Sequence, residues 1–130
     1  MSMPSIAPIH CQEAPQAIGP YSQGVAVGQW LFFSGQIPLL PESGQLIAGD
    51  IAEQMRCVME NISALLTSAG VNWRHVVKST LYLVDMNDFA TVNEIYAHYL
   101  TPPYPARSTV AVAALPKGAR VELEVVACLA

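Results

Sequence analysis

The amino-acid sequence predicts one α/β domain of the α+β type, in which a mixed sheet carries two helices on one face. Segments with a two-residue apolar alternation and segments with a three- to four-residue apolar spacing follow one another in the order strands, helix, strand, helix, two strands. The chain of 130 residues is long enough for one core of two layers, and no shift in composition marks a second domain. Residues 1–130 are therefore expected to form a single domain.

The N-terminal third predicts an arm followed by short strands. Residues 1–20 contain four prolines and no periodicity, which is typical of an irregular arm, and the arm ends in the turn IGPYSQ. The glycine-bounded run GVAVGQWLFFSGQIPLL predicts two strands, the second ending near Ser34 and Gly35. The segment PESGQLIAGD then predicts a polar turn and a short further strand.

A long helix is predicted after Asp50. Asp50 with Glu53 three residues later resembles a capping box, and Gly70 stands where a left-handed C-terminal cap is expected. The apolar residues that recur on one helical face are Ile51, Met55, Val58, Met59, Ile62, Leu65 and Leu66.

The C-terminal half predicts a strand, a second helix and two more strands. HVVKSTLYLVD is β-branched and apolar, as in a buried strand, and NDFATVNEIYAHYL is a helix that Pro102 and Pro103 end. RSTVAVAAL and RVELEVVACL are strands on either side of the turn PKGA. The apolar face of the second helix consists of Phe89, Val92, Tyr96 and Tyr99.

Sparse charge indicates that part of the surface is buried between copies of the chain. Only 12% of the residues are charged, against roughly 25% in soluble domains, and 52% are apolar. So few charges leave the uncovered side of the sheet apolar, and packing against other copies would cover it. A monomer with a neutral surface rich in Gly and Pro has the same composition and stays open as the alternative.

The charge pattern argues against nucleic-acid and membrane partners. The net charge is −4, and no stripe of cations matches a phosphate backbone. The N-terminus has no basic region and no apolar run of signal-peptide length, and no segment approaches the length of a membrane span, so we expect a cytosolic protein. The six cations, scattered along the chain, are Arg56, Arg74, Lys78, Arg107, Lys117 and Arg120.

No metal or cofactor site is predicted. Cys11, Cys57 and Cys128 are far apart and odd in number, which is typical of free thiols in a reducing compartment, and the three histidines share no ligand spacing. The chain contains no phosphate-binding glycine loop, no Gly-x-Ser-x-Gly elbow and no dinucleotide fingerprint. Ser34 has no histidine placed to activate it, so we interpret it as a polar contact. Tyr21 either lines a pocket or anchors the arm.

Two glutamates in the last strand are candidates for function. Apolar residues alternate with Glu122 and Glu124, so the two acids share the face that is not core. They are either solvated on an exposed strand or part of a site or interface.

Arg107 is the matching cationic candidate. The prolines of PPYPAR limit the backbone before it, and a guanidinium held in this way offers two parallel donors to a carboxylate. Ser108 and Thr109 add hydroxyl and N–H donors, although a solvated surface arginine is the alternative. If the last two strands run antiparallel, about six residues separate Arg107 from Glu122, on the order of 20 Å. A site that uses both is then expected between subunits.

The chain resembles the RidA/YjgF family of enamine and imine deaminases over nearly its whole length. The resemblance lies in AIGPYSQ, FFSGQIP, HVVKSTLYLVDMNDFATVNEIY and PARSTVAVAALPKGARVELE, and residues 105–124 are the most specific part. It implies a chorismate-mutase-like fold with a mixed six-stranded sheet and two helices on one face. It also implies a homotrimer with sites between subunits and a last strand inserted between earlier ones.

The resemblance also implies residue roles. Arg107 matches the arginine that binds the substrate carboxylate, and Glu122 matches the glutamate that holds the attacking water. Many relatives carry a cysteine where Thr109 stands, so its backbone N–H and not a thiol is the implied donor. The segment from Asn93 to Arg107 is a few residues shorter than in some members, which is expected to change the pocket lip and the substrate range. The other implied pocket residues are Tyr21, Ser34, Gly35 as a backbone donor, and Asn93.

The implied reaction is hydrolysis of 2-imino acids without a cofactor. The substrates arise from 2-aminoacrylate and related enamines that pyridoxal-phosphate enzymes release from serine or threonine, and the products are pyruvate or 2-oxobutanoate plus ammonia. Two alternatives stay open: a non-catalytic 2-oxo-acid binder or chaperone-like protein, and an RNA-cleaving or translation-inhibiting protein. The acidic net charge weighs against the second.

Overall fold

The computed structural model describes residues 5–129, so the first four residues of the predicted arm and Ala130 lie outside it. Within this range the predicted order of strands and helices after the arm is confirmed, apart from the short strand expected before the first helix. The helices are α1 (Ile51–Ser68) and α2 (Phe89–His98). The strands are β1 (Ala7–Ile9), β2 (Gly24–Val27), β3 (Trp30–Phe33), β4 (Val76–Leu83), β5 (Ala106–Ala111) and β6 (Val121–Cys128).

The strands form one mixed sheet in the order β1-β2-β3-β6-β4-β5. β4 and β5 are parallel and are connected through α2, whereas the other neighbouring pairs are antiparallel. The last strand is inserted between β3 and β4, as the resemblance implies. This topology puts Glu122 of β6 in the middle of the sheet and Arg107 of β5 on an edge strand.

One face of the sheet is covered by the helices. The apolar face of α1 is buried as predicted, with Met55 and Leu65 both 0% exposed. On β6 the predicted alternation is also confirmed, because Leu123 is fully buried in the core whereas Glu122 and Glu124 are half-buried on the other face. No helix in residues 5–129 is both long enough and apolar enough to cross a bilayer.

The capping interactions at the two ends of α1 agree only in part with those predicted from the sequence. The Asp50 carboxylate accepts a hydrogen bond from the Glu53 N–H at 2.9 Å and so caps the helix. The Glu53 carboxylate returns no bond among the described residues and lies against Gly49 instead, so the capping box forms in one direction only. At the other end the cap is Ala69, and Gly70 follows with φ +78°, a left-handed conformation that suits glycine.

One strand was predicted in the wrong place. The segment 41–50 contributes only an isolated bridge between Leu39 and Leu46. The sixth strand is β1, which comes from the arm and pairs antiparallel with β2 although it shows no apolar alternation. An edge strand pairs through its backbone alone and tolerates a proline, which is why Pro8 did not prevent it and periodicity did not reveal it.

The turn PKGA is not a simple hairpin. Pro116–Gly118 form a 3₁₀ turn in which Lys117 has φ 59° and Gly118 has φ 74°. The chain then returns along β6, which pairs with β4 and not with β5. The last two strands are therefore antiparallel but separated by β4.

The face of the sheet opposite the helices is open and exposes several large apolar side chains beside the charged side chains of β4 and β6. Trp30 and Phe32 of β3 are 47% and 44% exposed on this face, whereas Leu31 between them is 3% exposed. Val110 of β5 is 41% exposed on the same face. These exposed apolar side chains agree with the apolar surface that the sparse charge of the sequence predicts.

Candidate active site

The larger of two relevant pockets, called the Glu122 pocket below, has a volume of about 610 Å³. Four of the residues singled out in the sequence line it together: Tyr21, Ser34, Gly35 and Glu122. Tyr21 precedes β2, the serine and glycine follow β3, and Glu122 projects from the open face of β6. The rest of the wall is largely apolar and includes Pro15, Ile18, Ile37, Leu39 and Pro116.

Gly35 lies directly against the Glu122 carboxyl group. A Cβ atom at position 35 would stand 2.5 Å from Oε2 of Glu122, so any side chain there would displace the carboxyl group. The N–H groups of Ser34 and Gln36 on either side are bonded to backbone carbonyls. The Gly35 N–H makes none of the hydrogen bonds found within residues 5–129, so a donor stands free beside the Glu122 carboxyl group.

Ser34 is a structural contact of the pocket wall. Its Oγ donates to the carbonyl oxygen of Ser22 at 2.6 Å, so the hydroxyl proton is engaged. Among the residues that the structure describes, no histidine lines the Glu122 pocket. Within the described chain, Ser34 therefore has neither a histidine partner nor a free hydroxyl proton, which argues against a serine nucleophile.

Tyr21 lines the pocket and also anchors its own loop. Its side chain is 54% exposed, and its hydroxyl oxygen accepts the Ile18 N–H at 3.3 Å. The loop before it is held by buried Gln23, which accepts the Cys11 N–H at 2.7 Å and donates to the carbonyls of Cys11 and Pro15. Both interpretations of Tyr21 left open by the sequence therefore apply.

The Glu122 carboxyl group is half-buried and stands near a second acid. Burial raises the pKa of Glu122 above its ordinary value, and the negative charge of Glu124 raises it further. No hydrogen bond reaches the Glu122 side chain from residues 5–129, whereas Glu124 accepts one from the Tyr82 hydroxyl at 2.7 Å. The oxygens of Glu122 are therefore available to a water molecule or a ligand.

A second pocket, called the Arg107 pocket, is lined by Asn93, Tyr96, Tyr104 and Arg107, and has a volume of about 430 Å³. Asn93 and Tyr96 project from α2, and Arg107 from the start of β5. The proline-rich segment that leads into β5 forms the lip of this pocket, where Tyr104 is 63% exposed.

The Arg107 guanidinium is held from three sides. Its Nη1 donates to Oδ1 of Asn93 at 2.8 Å. Its Cζ lies 4.9 Å from the ring centroid of Tyr96 and 5.5 Å from that of Phe89, which is the distance of a cation–π contact. The Tyr96 hydroxyl is in turn fixed by a 2.7 Å hydrogen bond to the buried Oγ of Ser79. These contacts restrain the guanidinium and leave most of its five N–H donors unused.

No carboxylate in residues 5–129 pairs with Arg107. Arg120 shows the contrast, because its guanidinium binds both oxygens of Asp88 at 2.8 and 2.9 Å. A restrained guanidinium without an acid partner is suited to bind the carboxylate of a ligand with two parallel hydrogen bonds.

Thr109 lies two residues beyond Arg107 but lines neither pocket. β5 is an edge strand, and the Val112 N–H just after it donates to Leu83 of β4. Because N–H groups alternate between the two sides of a strand, those of Arg107 and Thr109 point to the unpaired edge. The Thr109 N–H is therefore free, on the side of β5 where no strand of the described chain lies.

Arg107 and Glu122 do not share a pocket. In register, Arg107 lies beside Ser79 and Val125 on the helix-covered face, whereas Glu122 lies beside Tyr82 on the open face. The offset along the strands is three residues, about 10 Å, so the expected separation of about six residues was wrong. The two side chains are kept apart by the opposite faces of the sheet and by the insertion of β4 between their strands.

Sequence reasoning missed the aromatic support of Arg107 and the Tyr82 hydrogen bond to Glu124. Phe89 and Tyr96 were assigned to the apolar face of the second helix, which is correct, but helical spacing does not show that this face also contacts Arg107. No local signal marks Tyr82, because its bond to Glu124 spans 42 residues.

The comparisons with known proteins agree with one another. The family model described as endoribonuclease L-PSP matches residues 11–129. A human protein named 2-iminobutanoate/2-iminopropanoate deaminase is 50% identical over 119 residues, which are 92% of this chain and 87% of the human one.

Two solved structures have nearly the same fold. YyfA from Yersinia pestis, described as a protein of unknown function of the conserved Rid family, superimposes with a TM-score of 0.92 at 46% identity over 95% of this chain and 99% of its own. TdcF from E. coli, solved with bound serine, gives a TM-score of 0.88 at 43% identity over 94% of this chain and 98% of its own. The chain belongs to the endoribonuclease L-PSP family, which is the RidA/YjgF family that its sequence resembles.

Proposed function

We propose that the protein hydrolyses 2-imino acids, and the enamines in equilibrium with them, to 2-oxo acids and ammonia. The observation that carries the proposal is a pair of complementary half-sites. Within residues 5–129, Arg107 is a restrained guanidinium that pairs with no carboxylate, and Glu122 is a half-buried carboxyl group that accepts no hydrogen bond. The name of the human relative supports small 2-imino acids as substrates.

A site that uses both half-sites requires two copies of the chain. We take the assembly to be a homotrimer, as the resemblance implies, in which the Arg107 pocket of one copy meets the Glu122 pocket of the next. The exposed apolar face around Trp30 and Phe32 supports an assembly of this kind, because it would otherwise remain in water.

The reaction needs little activation because C2 of a 2-imino acid is already electrophilic. Arg107 binds the carboxylate, and the free N–H groups of Gly35 and Thr109 complete the grip. Water held by Glu122 forms the new C–O bond at C2 while Glu122 takes up one of its protons. The electron pair of the C=N π bond moves to the nitrogen, to which Glu122 passes this proton, and a tetrahedral 2-amino-2-hydroxy acid results. Glu122 then transfers the hydroxyl proton to the same nitrogen, so that the 2-oxo group forms as the C–N bond breaks and ammonia leaves. One imino acid and one water give one 2-oxo acid and one ammonia.

The substrates would come from pyridoxal-phosphate enzymes. Elimination from serine releases 2-aminoacrylate, which tautomerises to 2-iminopropanoate and hydrolyses to pyruvate, and threonine gives 2-oxobutanoate by the same route. Serine in the E. coli relative supports this substrate class, because its carboxylate and its C2 nitrogen have the same connectivity as those of a 2-imino acid.

The test is the rate at which pyruvate appears when a pyridoxal-phosphate enzyme generates 2-aminoacrylate from serine. We expect the wild type to accelerate pyruvate formation and Arg107→Ala to lose the acceleration. Arg74→Ala, an exposed arginine of the turn after α1, is the matched control and should behave as wild type. No acceleration by wild type that still binds 2-oxobutanoate in calorimetry would replace the deaminase with a non-catalytic binder.

RNA cleavage is a second candidate because the family model is described as an endoribonuclease. The net charge of −4 weighs against this candidate, because an acidic protein repels the phosphate backbone of RNA. Cleavage of a labelled RNA that is lost in both Arg107→Ala and Glu122→Ala would support this candidate. Cleavage that survives in both variants would place it outside the proposed site.

A further inference from the structure

A second acid and a tyrosine stand beside Glu122 on the open face. Glu124 is two residues further along β6, so its side chain leaves the same face about 7 Å away. Tyr82 of β4 is the cross-strand neighbour of Glu122, yet its hydroxyl reaches diagonally to Oε1 of Glu124 at 2.7 Å. The three side chains therefore form one cluster. In it the Tyr82 hydroxyl holds the Glu124 carboxylate, whereas the Glu122 carboxyl group accepts no hydrogen bond from residues 5–129.

The titratable groups that face Glu122 within residues 5–129 are few. They are Glu124 on its own strand, Tyr82 on β4, and Tyr21 and Lys117 from the loops around the pocket. Lys117 is the only cation that lines the pocket in the described chain, and its Nζ is engaged with a backbone carbonyl at 2.9 Å. The nearest fixed charge on the open face of the sheet is thus the negative one of Glu124.

Lys78, another cation of the open face, is hydrogen-bonded on the β5 side of β4 and forms no ion pair with either glutamate within residues 5–129. It lies opposite Val126, beyond Glu124 along the strand, and its Nζ donates to Ser108 of β5 at 3.3 Å. Ser108 is level with Glu124, so Lys78 reaches along the open face to the level of that acid but does not come within ion-pair distance of it.

We propose that Glu124 and Tyr82 are positioning residues of the reaction: the Tyr82 hydroxyl fixes the Glu124 carboxylate beside Glu122, and this fixed negative charge keeps Glu122 ready to take up a proton. The inference rests on the proposed function, in which Glu122 takes a proton from water and gives it to the leaving nitrogen. A carboxylate that binds protons too weakly would hold water but would remove its proton poorly. The Coulombic contribution of Glu124 to the raised pKa of Glu122 agrees with this geometry.

The test compares Glu124→Gln, Tyr82→Phe and the double variant with wild type. Titration of ¹³C-labelled glutamate carboxyls by NMR, with Glu122 assigned from Glu122→Gln, should show Glu122 titrating at lower pH in Glu124→Gln. The shift should be smaller but in the same direction in Tyr82→Phe. The double variant should match Glu124→Gln alone, because Tyr82 acts only through Glu124.

Kinetics give a second readout. The acidic limb of kcat/KM should move to lower pH in Glu124→Gln, and kcat should fall by roughly tenfold or less, since proton transfer as a whole contributes about a hundredfold or more. KM should change by less than about twofold, because neither residue is expected to touch the carboxylate. Sedimentation checks that each variant assembles. If Glu124→Gln does not assemble, the test rests on Tyr82→Phe, which removes only one oxygen atom.

Tyr99 and Glu60 provide the matched control. They form the same type of bond, with the Tyr99 hydroxyl donating to Glu60 at 2.6 Å, but between the helices and outside both pockets. Tyr99→Phe and Glu60→Gln should leave the titration of Glu122 unchanged. An unchanged titration of Glu122 in Glu124→Gln would overturn the inference. If the titration of Glu122 moves in Glu124→Gln but not in Tyr82→Phe, Tyr82 has no role in positioning Glu124. Because the NMR readout needs no turnover, a shifted titration in a protein without deaminase activity would refute the proposed function alone.

Discussion

Arg107 and Glu122 project from opposite faces of one sheet, on strands that β4 separates. Each side chain is supported separately: Arg107 by Asn93 and two aromatic rings, and Glu122 by contact with Gly35. Two half-sites with opposite charge cannot serve one small ligand within a protomer. They can do so when the helix-covered edge of one copy approaches the open face of another.

Arg107→Lys should reduce activity almost as strongly as Arg107→Ala. Lysine keeps the positive charge but loses the planar fork and the stacking on Tyr96 and Phe89. We expect kcat/KM to fall by about a hundredfold, which corresponds to the loss of one or two charge-assisted hydrogen bonds. Steady-state assays of both variants check this, and a lysine variant within about threefold of wild type would contradict the carboxylate clamp.

Tyr96→Phe should lower stability more than activity. The substitution keeps the ring next to Arg107 but leaves the hydroxyl of Ser79, which is 0% exposed, without its partner. We expect the free energy of unfolding to fall by about 1–3 kcal/mol, measured by urea denaturation at a fixed protein concentration. Tyr99→Phe, whose hydroxyl bond is exposed, should cost less than about 0.5 kcal/mol. An equal loss of unfolding free energy in the two variants would show that the buried Ser79–Tyr96 hydrogen bond stabilises the fold no more than the exposed one does.

Glu122→Gln should abolish turnover and stabilise the fold near neutral pH. Because burial and then Glu124 raise the pKa of Glu122 in the folded state, the stabilising contribution of this group is present below its unfolded pKa. That contribution is lost as the pH rises through the folded pKa, where the ionised form is disfavoured. Denaturation of both proteins over a pH series should therefore give a more stable variant at neutral pH and equal stabilities in acid. A variant that is less stable than wild type at neutral pH would contradict the raised pKa.

Phe32→Asp should dissociate the proposed homotrimer. Phe32 is 44% exposed in the middle of the open apolar face, and burying a carboxylate there against another copy would cost several kcal/mol. Sedimentation should show a smaller species for Phe32→Asp and the wild-type species for Met86→Asp, whose residue is 48% exposed but lies outside the sheet. Activity should be lost together with the assembly. An unchanged sedimentation of Phe32→Asp would exclude the open face as the contact surface.

Local periodicity was sufficient to predict the elements that fill the core. The apolar face of α1 and the alternation along β6 appear in the structure as predicted, since both follow from the geometry of a single element. β1 was missed because an edge strand pairs through its backbone, and the short strand near Leu46 was predicted because a few apolar residues after a turn resemble one. Whether such a short segment forms a strand depends on which neighbouring strand is available to pair with it.

The relation between the two half-sites could not be read from periodicity. It depends on the insertion of β6 between β3 and β4, which decides that Glu122 lies three residues from the level of Arg107 and on the other face. The support of Arg107 likewise comes from side chains brought close by the β4-α2-β5 connection. The residue pattern alone marked Arg107 and Glu122, as charged residues in apolar strands, whereas the other pocket residues and the inserted last strand came from the family resemblance.

Mixing two inactive variants should restore activity if the site lies between subunits. Arg107→Ala retains Glu122, and Glu122→Ala retains Arg107, so a site formed by an Arg107 pocket from one variant and a Glu122 pocket from the other contains both groups. In randomly reassembled 1:1 mixtures, about a quarter of the sites combine the two intact halves, so activity should recover to about a quarter of wild type. The measurement is pyruvate formation after the mixed chains are unfolded and refolded together, with each variant refolded alone as the control. Because Arg107 and Glu122 lie on opposite faces of one sheet, a mixture as inactive as its components, although it forms mixed assemblies, would refute a site shared between copies.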